Sequence, residues 1–177
     1  MRLHRAALVS LLCAGLLMPG ATGIAQDLGP GRGRFIERGP ADVERLVQRA
    51  EVIVHGVVAR KEPKWIGRVL YTQYELAVQE TLKGAERKNV LVSVVGGAMG
   101  NVQLTVPGAP DLRTGDELVF FGAPLVGDVG FTPVGTFDGI VPVRPGRGNA
   151  GATASPRGQP QAITAFLEEV RALTKRP

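Results

Sequence analysis

Between Val69 and Leu82 the chain alternates residue by residue. Leu70, Thr72, Tyr74, Leu76 and Val78 share one side, and Tyr71, Gln73, Glu75 and Gln79 share the other. Only a half-buried β-strand needs a period of two over that length. Lys83-Gly84 then supplies a turn. Upstream, Val52-Ile53-Val54-His55-Gly56-Val57-Val58 is apolar and β-branched, a second strand of ordinary length.

More strands follow at short intervals. Val90–Val95 is one, Gly96–Asn101 reads as a flexible reversal, and Val102–Val106 is a short strand. Thr114-Gly115-Asp116 forms a tight turn before a strand at Glu117–Phe121, and Phe131–Val143 supplies one or two more. Short strands in series with no helices between them predict an all-β, antiparallel, OB-like Greek-key barrel. Gly56 and Gly135, read as glycines within strands, suit the bends that close a small barrel.

The barrel is expected within a longer arrangement. Residues 1–25 read as a secretory signal peptide: Arg2, His4 and Arg5 lead into the apolar run Ala6–Leu17, and Ala21, Gly23 and Ala25 follow as small residues. That run is shorter than the about 20 residues needed to cross a bilayer. Cys13 sits within it behind the bulky Leu12, unlike a lipoprotein cut site, so the mature chain is expected to lack cysteine. Residues 26–39 are Gly- and Arg-rich and read as a flexible arm. A helix plus the barrel occupy 40–143, the helix carrying Val43, Leu46 and Val47 on one face. Residues 144–159 read as a Gly/Pro-rich linker, and 160–177 as a C-terminal amphipathic helix whose face is Ile163, Phe166, Leu167, Val170 and Leu173. A lone helix is marginal in water, so that face is expected to dock, on its own barrel first and on a partner as the alternative.

Composition narrows the chemistry. With one Cys and two His in 177 residues, the chain is neither a disulfide scaffold nor a Cys/His zinc module. Once the signal is removed, His55 is the remaining imidazole, placed in mid-strand, and it reads as a packed sheet residue. Ser93 and Ser155 have no nucleophile-elbow motif around them. Asp111, Asp116 and Glu117 lie at a turn and a strand start, where acids cap and solvate. Gly96–Gly100 lacks the Lys-Ser/Thr end of a phosphate loop. The formal charge of +5 falls to +3 without Arg2 and Arg5, too mild for a dedicated nucleic-acid binder.

One cluster stands out. Arg60, Lys61, Lys64, Trp65 and Arg68 fall between the first two strands, with Tyr71 just beyond, and Trp65 is the single tryptophan. These are the candidate binding-loop residues: in an OB barrel that loop and the adjoining sheet face bind oligonucleotides, oligosaccharides and proteins.

The strand residues also resemble a known group. Ala50-Glu51-Val52-Ile53-Val54, Tyr71-Thr72, Glu80-Thr81-Leu82-Lys83-Gly84, Gly96-Gly97, Gly108-Ala109-Pro110 and Gly115-Asp116 follow in order the pattern of a set of uncharacterised exported bacterial proteins. The first half is similar to the netrin-like barrel of tissue inhibitors of metalloproteinases, a likeness that implies a five-stranded Greek-key barrel with flanking helices. That family inhibits through an amino-terminal Cys, and the expected mature start, Gln26-Asp27, has none. The inhibitory motif does not carry over.

The sequence thus predicts an exported, non-enzymatic binding or interaction module, periplasmic or extracellular, with a protein or glycan partner. It predicts no cofactor, no metal and no stable membrane insertion after signal cleavage. Two other readings are an inhibitor-like or accessory domain engaging a secreted hydrolase, and an oligosaccharide- or nucleic-acid-binding OB domain, with nucleic acid disfavoured by export and charge.

Overall fold

The computed structural model describes residues 42–127, 129–146 and 151–176. The expected signal peptide at 1–25 and arm at 26–39 lie outside the described residues. No described helix is long and apolar enough to cross a membrane.

The first element is helix α1, Val43–Arg49, somewhat shorter than the sequence suggests. Asp42 caps it by accepting the Glu44 amide at 3.1 Å, and Val43, Leu46 and Val47 are buried. At its other end the Lys83 ammonium donates to the carbonyls of Val47 and Ala50 at 2.7 and 2.6 Å. A cation there satisfies carbonyls that the helix leaves unpaired.

The strands are β1 (Val52–Ile66), β2 (Val69–Lys83), β3 (Asn89–Val95), β4 (Gly97–Met99), β5 (Val102–Leu104), β6 (Glu117–Pro124), β7 (Phe131–Pro133) and β8 (Ile140–Arg144). β1 pairs with β2 along one edge, and its first half, Val52–Val57, pairs with β6 on the other. β2 pairs with β3, β3 meets β7 in parallel at Val92–Phe131, and β7 runs antiparallel to β6. The ring β1-β2-β3-β7-β6-β1 is therefore closed, with one parallel seam in an otherwise antiparallel sheet. This is the expected β-rich, OB-like Greek-key barrel flanked by two helices. β8 continues along the β6 edge that β7 occupies, and β4 and β5 form a separate hairpin.

Two glycines make the closure possible. At Gly56 the β1–β2 register shifts, and a Cβ there would lie 2.6 Å from the Ala77 carbonyl oxygen. At Gly130, with φ +102°, a Cβ would collide with the Leu91 backbone just where the parallel seam forms. Gly135, expected within a strand, lies instead in the turn between β7 and β8 with φ +67°.

Both faces of the ring are covered. Val54, Leu76, Val92, Leu118 and Phe120 fill the interior, while Ile53, Val119, Phe121 and Val141 point out beneath α1 and the C-terminal helix α2, Ile163–Thr174. Phe166 and Val170 of α2 are completely buried, and the Phe166 ring packs on Phe121 with centroids 6.3 Å apart. The C-terminal helix thus docks on its own barrel, as its apolar face requires.

Several local expectations are corrected. The described residues of the expected 144–159 linker include β9 (Thr153–Ala154), paired with β8, and a 3-10 turn at Pro156–Gly158. Residues 161–162 form β10, which pairs with β9. Ala154 is wholly buried in the outer layer, so this part of the stretch packs where its composition suggested freedom. Gly96–Asn101 is likewise ordered as β4 and its turn. Gln73, assigned to the solvent side of β2, is buried, because the segment before β7 folds over it.

Candidate functional site

The first correction at the site concerns its backbone. Arg60, Lys61, Lys64 and Trp65 do not form a loop: β1 runs on to Ile66, and a two-residue turn of Gly67 and Arg68 leads into β2. Past Val58, β1 pairs with β2 alone. It is an edge there, which is why Pro63, with no amide hydrogen, is tolerated within it. Exposed edges have polar residues on both sides, so they offer no alternation to read.

Register then sorts the candidates. Ala59 is skipped at a bulge between Val58 and Arg60, and beyond it Lys61 faces Tyr74, Pro63 faces Thr72 and Trp65 faces Leu70. Directly opposed residues share a face. Lys61 and Trp65 therefore stand on the inner face of the ring, at its open end. Arg60 faces Glu75 and Lys64 faces Tyr71, placing these three candidates, Arg60, Lys64 and Tyr71, on the outer face, with Arg68 at the turn. Arg60 is further engaged by an ion pair with Glu62. The six candidates are thus split, and Lys61 and Trp65 are the two that share the inner face of β1.

Lys61 lines a groove of about 380 Å³ at the mouth of the barrel, and Trp65 lies outside its lining. One wall is the β1–β2 arm, with Lys61, Pro63, Thr72 and Tyr74, and the other is the β4–β5 hairpin with the segment 105–111. The hairpin is fixed over the arm by the Thr72 hydroxyl, which donates to the Gly96 carbonyl at 2.8 Å, and by the Gly96 amide, which donates to the Leu70 carbonyl at 2.9 Å. The segment after it is held because the Gly115 amide donates to the Val58 carbonyl and the Val58 amide to the Asp116 carbonyl, both at 2.8 Å.

The polar chemistry of the groove centres on Lys61. Its ammonium donates to Asp111 Oδ1 at 2.7 Å and to the Leu112 carbonyl at 3.3 Å, and lies 5.6 Å from the centre of the Tyr74 ring. The hydrogen bond to Asp111 holds Lys61 above its ordinary pKa, and the same bond lowers that of Asp111. Burial raises the Tyr74 phenol. The groove thus presents a charged donor and a charged acceptor side by side, next to a phenol that burial keeps neutral. Trp65, further along the same face of β1, is 45% exposed, and Leu104, which lines the groove from the hairpin, is also exposed.

The other titratable groups are occupied elsewhere. His55 Nε2 and Glu117 Oε1 are 2.7 Å apart on the outer face. Beside them Glu80 takes three short hydrogen bonds from the Arg171 guanidinium of α2. Asp116 accepts the Arg113 amide at 2.7 Å and closes its turn. Ser93 is fully buried, receiving a hydrogen bond from Gln73 Nε2 at 3.0 Å. Among the described residues, no group of three or more His, Cys, Asp or Glu side chains is arranged to hold a metal ion.

Sequence reasoning placed Asp111 with the capping acids and Tyr74 with the core, and missed that they meet Lys61. Their partnership spans 50 residues of chain, and no local spacing encodes it. The signal that was present is Tyr74 itself, a phenol on the inward side of an apolar strand face, where its hydroxyl needs a polar neighbour. No protein-family model and no curated protein matches the sequence.

Proposed function

We propose that this chain is an exported, non-enzymatic binding module whose ligand face is the open end of the barrel. The observation that carries this reading is the groove bounded by Lys61, Tyr74 and Asp111, with Trp65 exposed further along the same face of β1. Rigid strands fix its inner wall, and a short hairpin and an irregular segment make up the other. Binding sites commonly combine such apolar walls with a few convergent polar groups. Export follows from the amino-terminal signal pattern, and the shared strand residues support kinship with the exported bacterial set described above.

The test uses the chain purified from the exported fraction as bait in an extracellular extract of its own source. Trp65→Ala and Lys61→Ala baits probe the mouth, and an Arg60→Ala/Lys64→Ala bait probes the outer face of the arm. A partner recovered at saturable stoichiometry and lost only in the mouth variants supports the reading. Loss only in the outer-face variant moves the site to the outer side of the arm. Recovery of a secreted hydrolase that the chain inhibits replaces the general module with the accessory-domain reading.

A further inference from the structure

We propose that the barrel mouth binds a neutral oligosaccharide, with Trp65 as a stacking platform and the Lys61–Asp111 pair reading its hydroxyls. The inference rests on the mouth being the ligand face and names the chemistry it takes. Lys61, Pro63 and Trp65 lie on one face of one strand. At about 3.3 Å per residue, Lys61 and Trp65 are ~13 Å apart along it. That separation is spanned by a short run of linked pyranose rings, one on the indole and another at the ion pair.

Charge decides between ligand classes. Lys61 Nζ and Asp111 Oδ1 are 2.7 Å apart, and both side chains reach solvent, at 39% and 74% exposure. An anionic ligand drawn to Lys61 meets the Asp111 carboxylate beside it, and a cationic one drawn to Asp111 meets the ammonium. An uncharged ligand with two neighbouring hydroxyls suits both: one accepts from the ammonium while the other donates to the carboxylate, each a charge-assisted bond. Pro63, Ala109 and Pro110 give the groove C–H surfaces that fit the apolar face of a sugar ring.

Trp65 is the single tryptophan, so intrinsic fluorescence reports on the site directly. The chain purified from the exported fraction is titrated with chitohexaose, cellohexaose and maltohexaose, and separately with heparin. The expected result is a saturable fluorescence change with at least one neutral hexaose, unaltered when salt is raised from about 0.05 to 0.5 M. Lys61→Ala and Asp111→Ala are each expected to weaken it roughly tenfold or more, the effect of losing a charge-assisted hydrogen bond. Asp111 is exposed, so its variant is expected to keep the wild-type circular dichroism and melting curve, which separates loss of binding from loss of fold. No saturable change with any of the three hexaoses overturns the proposal. So does neutral-sugar binding that both variants leave intact, or binding of heparin alone with steep salt dependence. If the sugars fail while the bait still captures a protein that Trp65→Ala loses, the mouth remains the ligand face and only the saccharide assignment falls.

Discussion

Lys61 and Asp111 fix one another's charge. The hydrogen bond to Asp111 raises Lys61, so the pair's contribution through Lys61 is complete below the ordinary lysine range and is lost as pH rises through the raised value. The same bond lowers Asp111, so its contribution is present above the ordinary carboxylate range and is lost as pH falls through the lowered value. The pair is therefore intact across the whole neutral window. In Lys61→Met, the Asp111 carboxyl resonance is expected to titrate back toward the ordinary carboxylate range, as followed by carbon NMR. An unchanged Asp111 titration would show that the two groups do not pair in solution. Gln73 presents a different case at this scale, a buried amide that donates to the Ser93 hydroxyl at 3.0 Å and to the Val129 carbonyl at 3.2 Å. Gln73→Leu strips both acceptors of that donor, and the expected cost is about 1–3 kcal/mol in urea denaturation. Faster amide exchange in residues 125–130 is expected with it, because that segment loses its tie to β2. The burial of Gln73 was not legible beforehand: two-residue alternation tells which side of a strand a residue occupies, and says nothing of what later folds over that side.

Among the elements, the β1–β2 hairpin best separates what was legible from what was not. β2 announced itself through alternation because its inner face lies in the core. The second half of β1 gave no such signal, since Arg60–Trp65 is an edge with solvent on it. One clue was available: a strand as long as β2 needs hydrogen-bonding partners along its whole length, and Val52–Val58 alone is too short to supply them. The C-terminal helix was legible for the opposite reason, its apolar face recurring at helical spacing. Two of the contacts that hold it are of unequal worth. Phe166 is fully buried against Phe121, and Phe166→Ala is expected to cost about 3–5 kcal/mol through lost burial and the cavity left behind. Arg171 forks onto Glu80, but both side chains are part-exposed, at 41% and 34%, and Arg171→Ala is expected to cost about 1 kcal/mol or less. Chemical denaturation of the two variants measures the ratio directly. An equal loss would mean that α2 is held by its charge and not by its ring.

At the scale of the whole molecule, the barrel is a ring wrapped in a second apolar layer. β1 and β6 each send alternate residues in both directions: Val54 and Phe120 inward, Ile53 and Phe121 outward. Strands apolar on both faces read as continuous apolar runs, which is why Val52–Val58 looked like a strand without revealing what it packs against. The outer face is covered by α1, Ala154 and α2, elements from opposite ends of the described chain. This makes the C-terminal segment part of the fold, where its Gly/Pro-rich approach had suggested an appendage. Truncation after Gln159 removes α2 while leaving every strand of the ring in place. If the helix is an integral layer, the truncated chain exposes Ile53, Val119, Phe121 and Val141 together. Exposed apolar surface of that kind drives association. The expected outcome is strong binding of an apolar fluorescent dye, a broadened melting transition and concentration-dependent oligomers in sedimentation. A truncated chain that stays monomeric and melts as sharply as the intact one would show that the ring folds alone. The helix face would then be free to serve a partner.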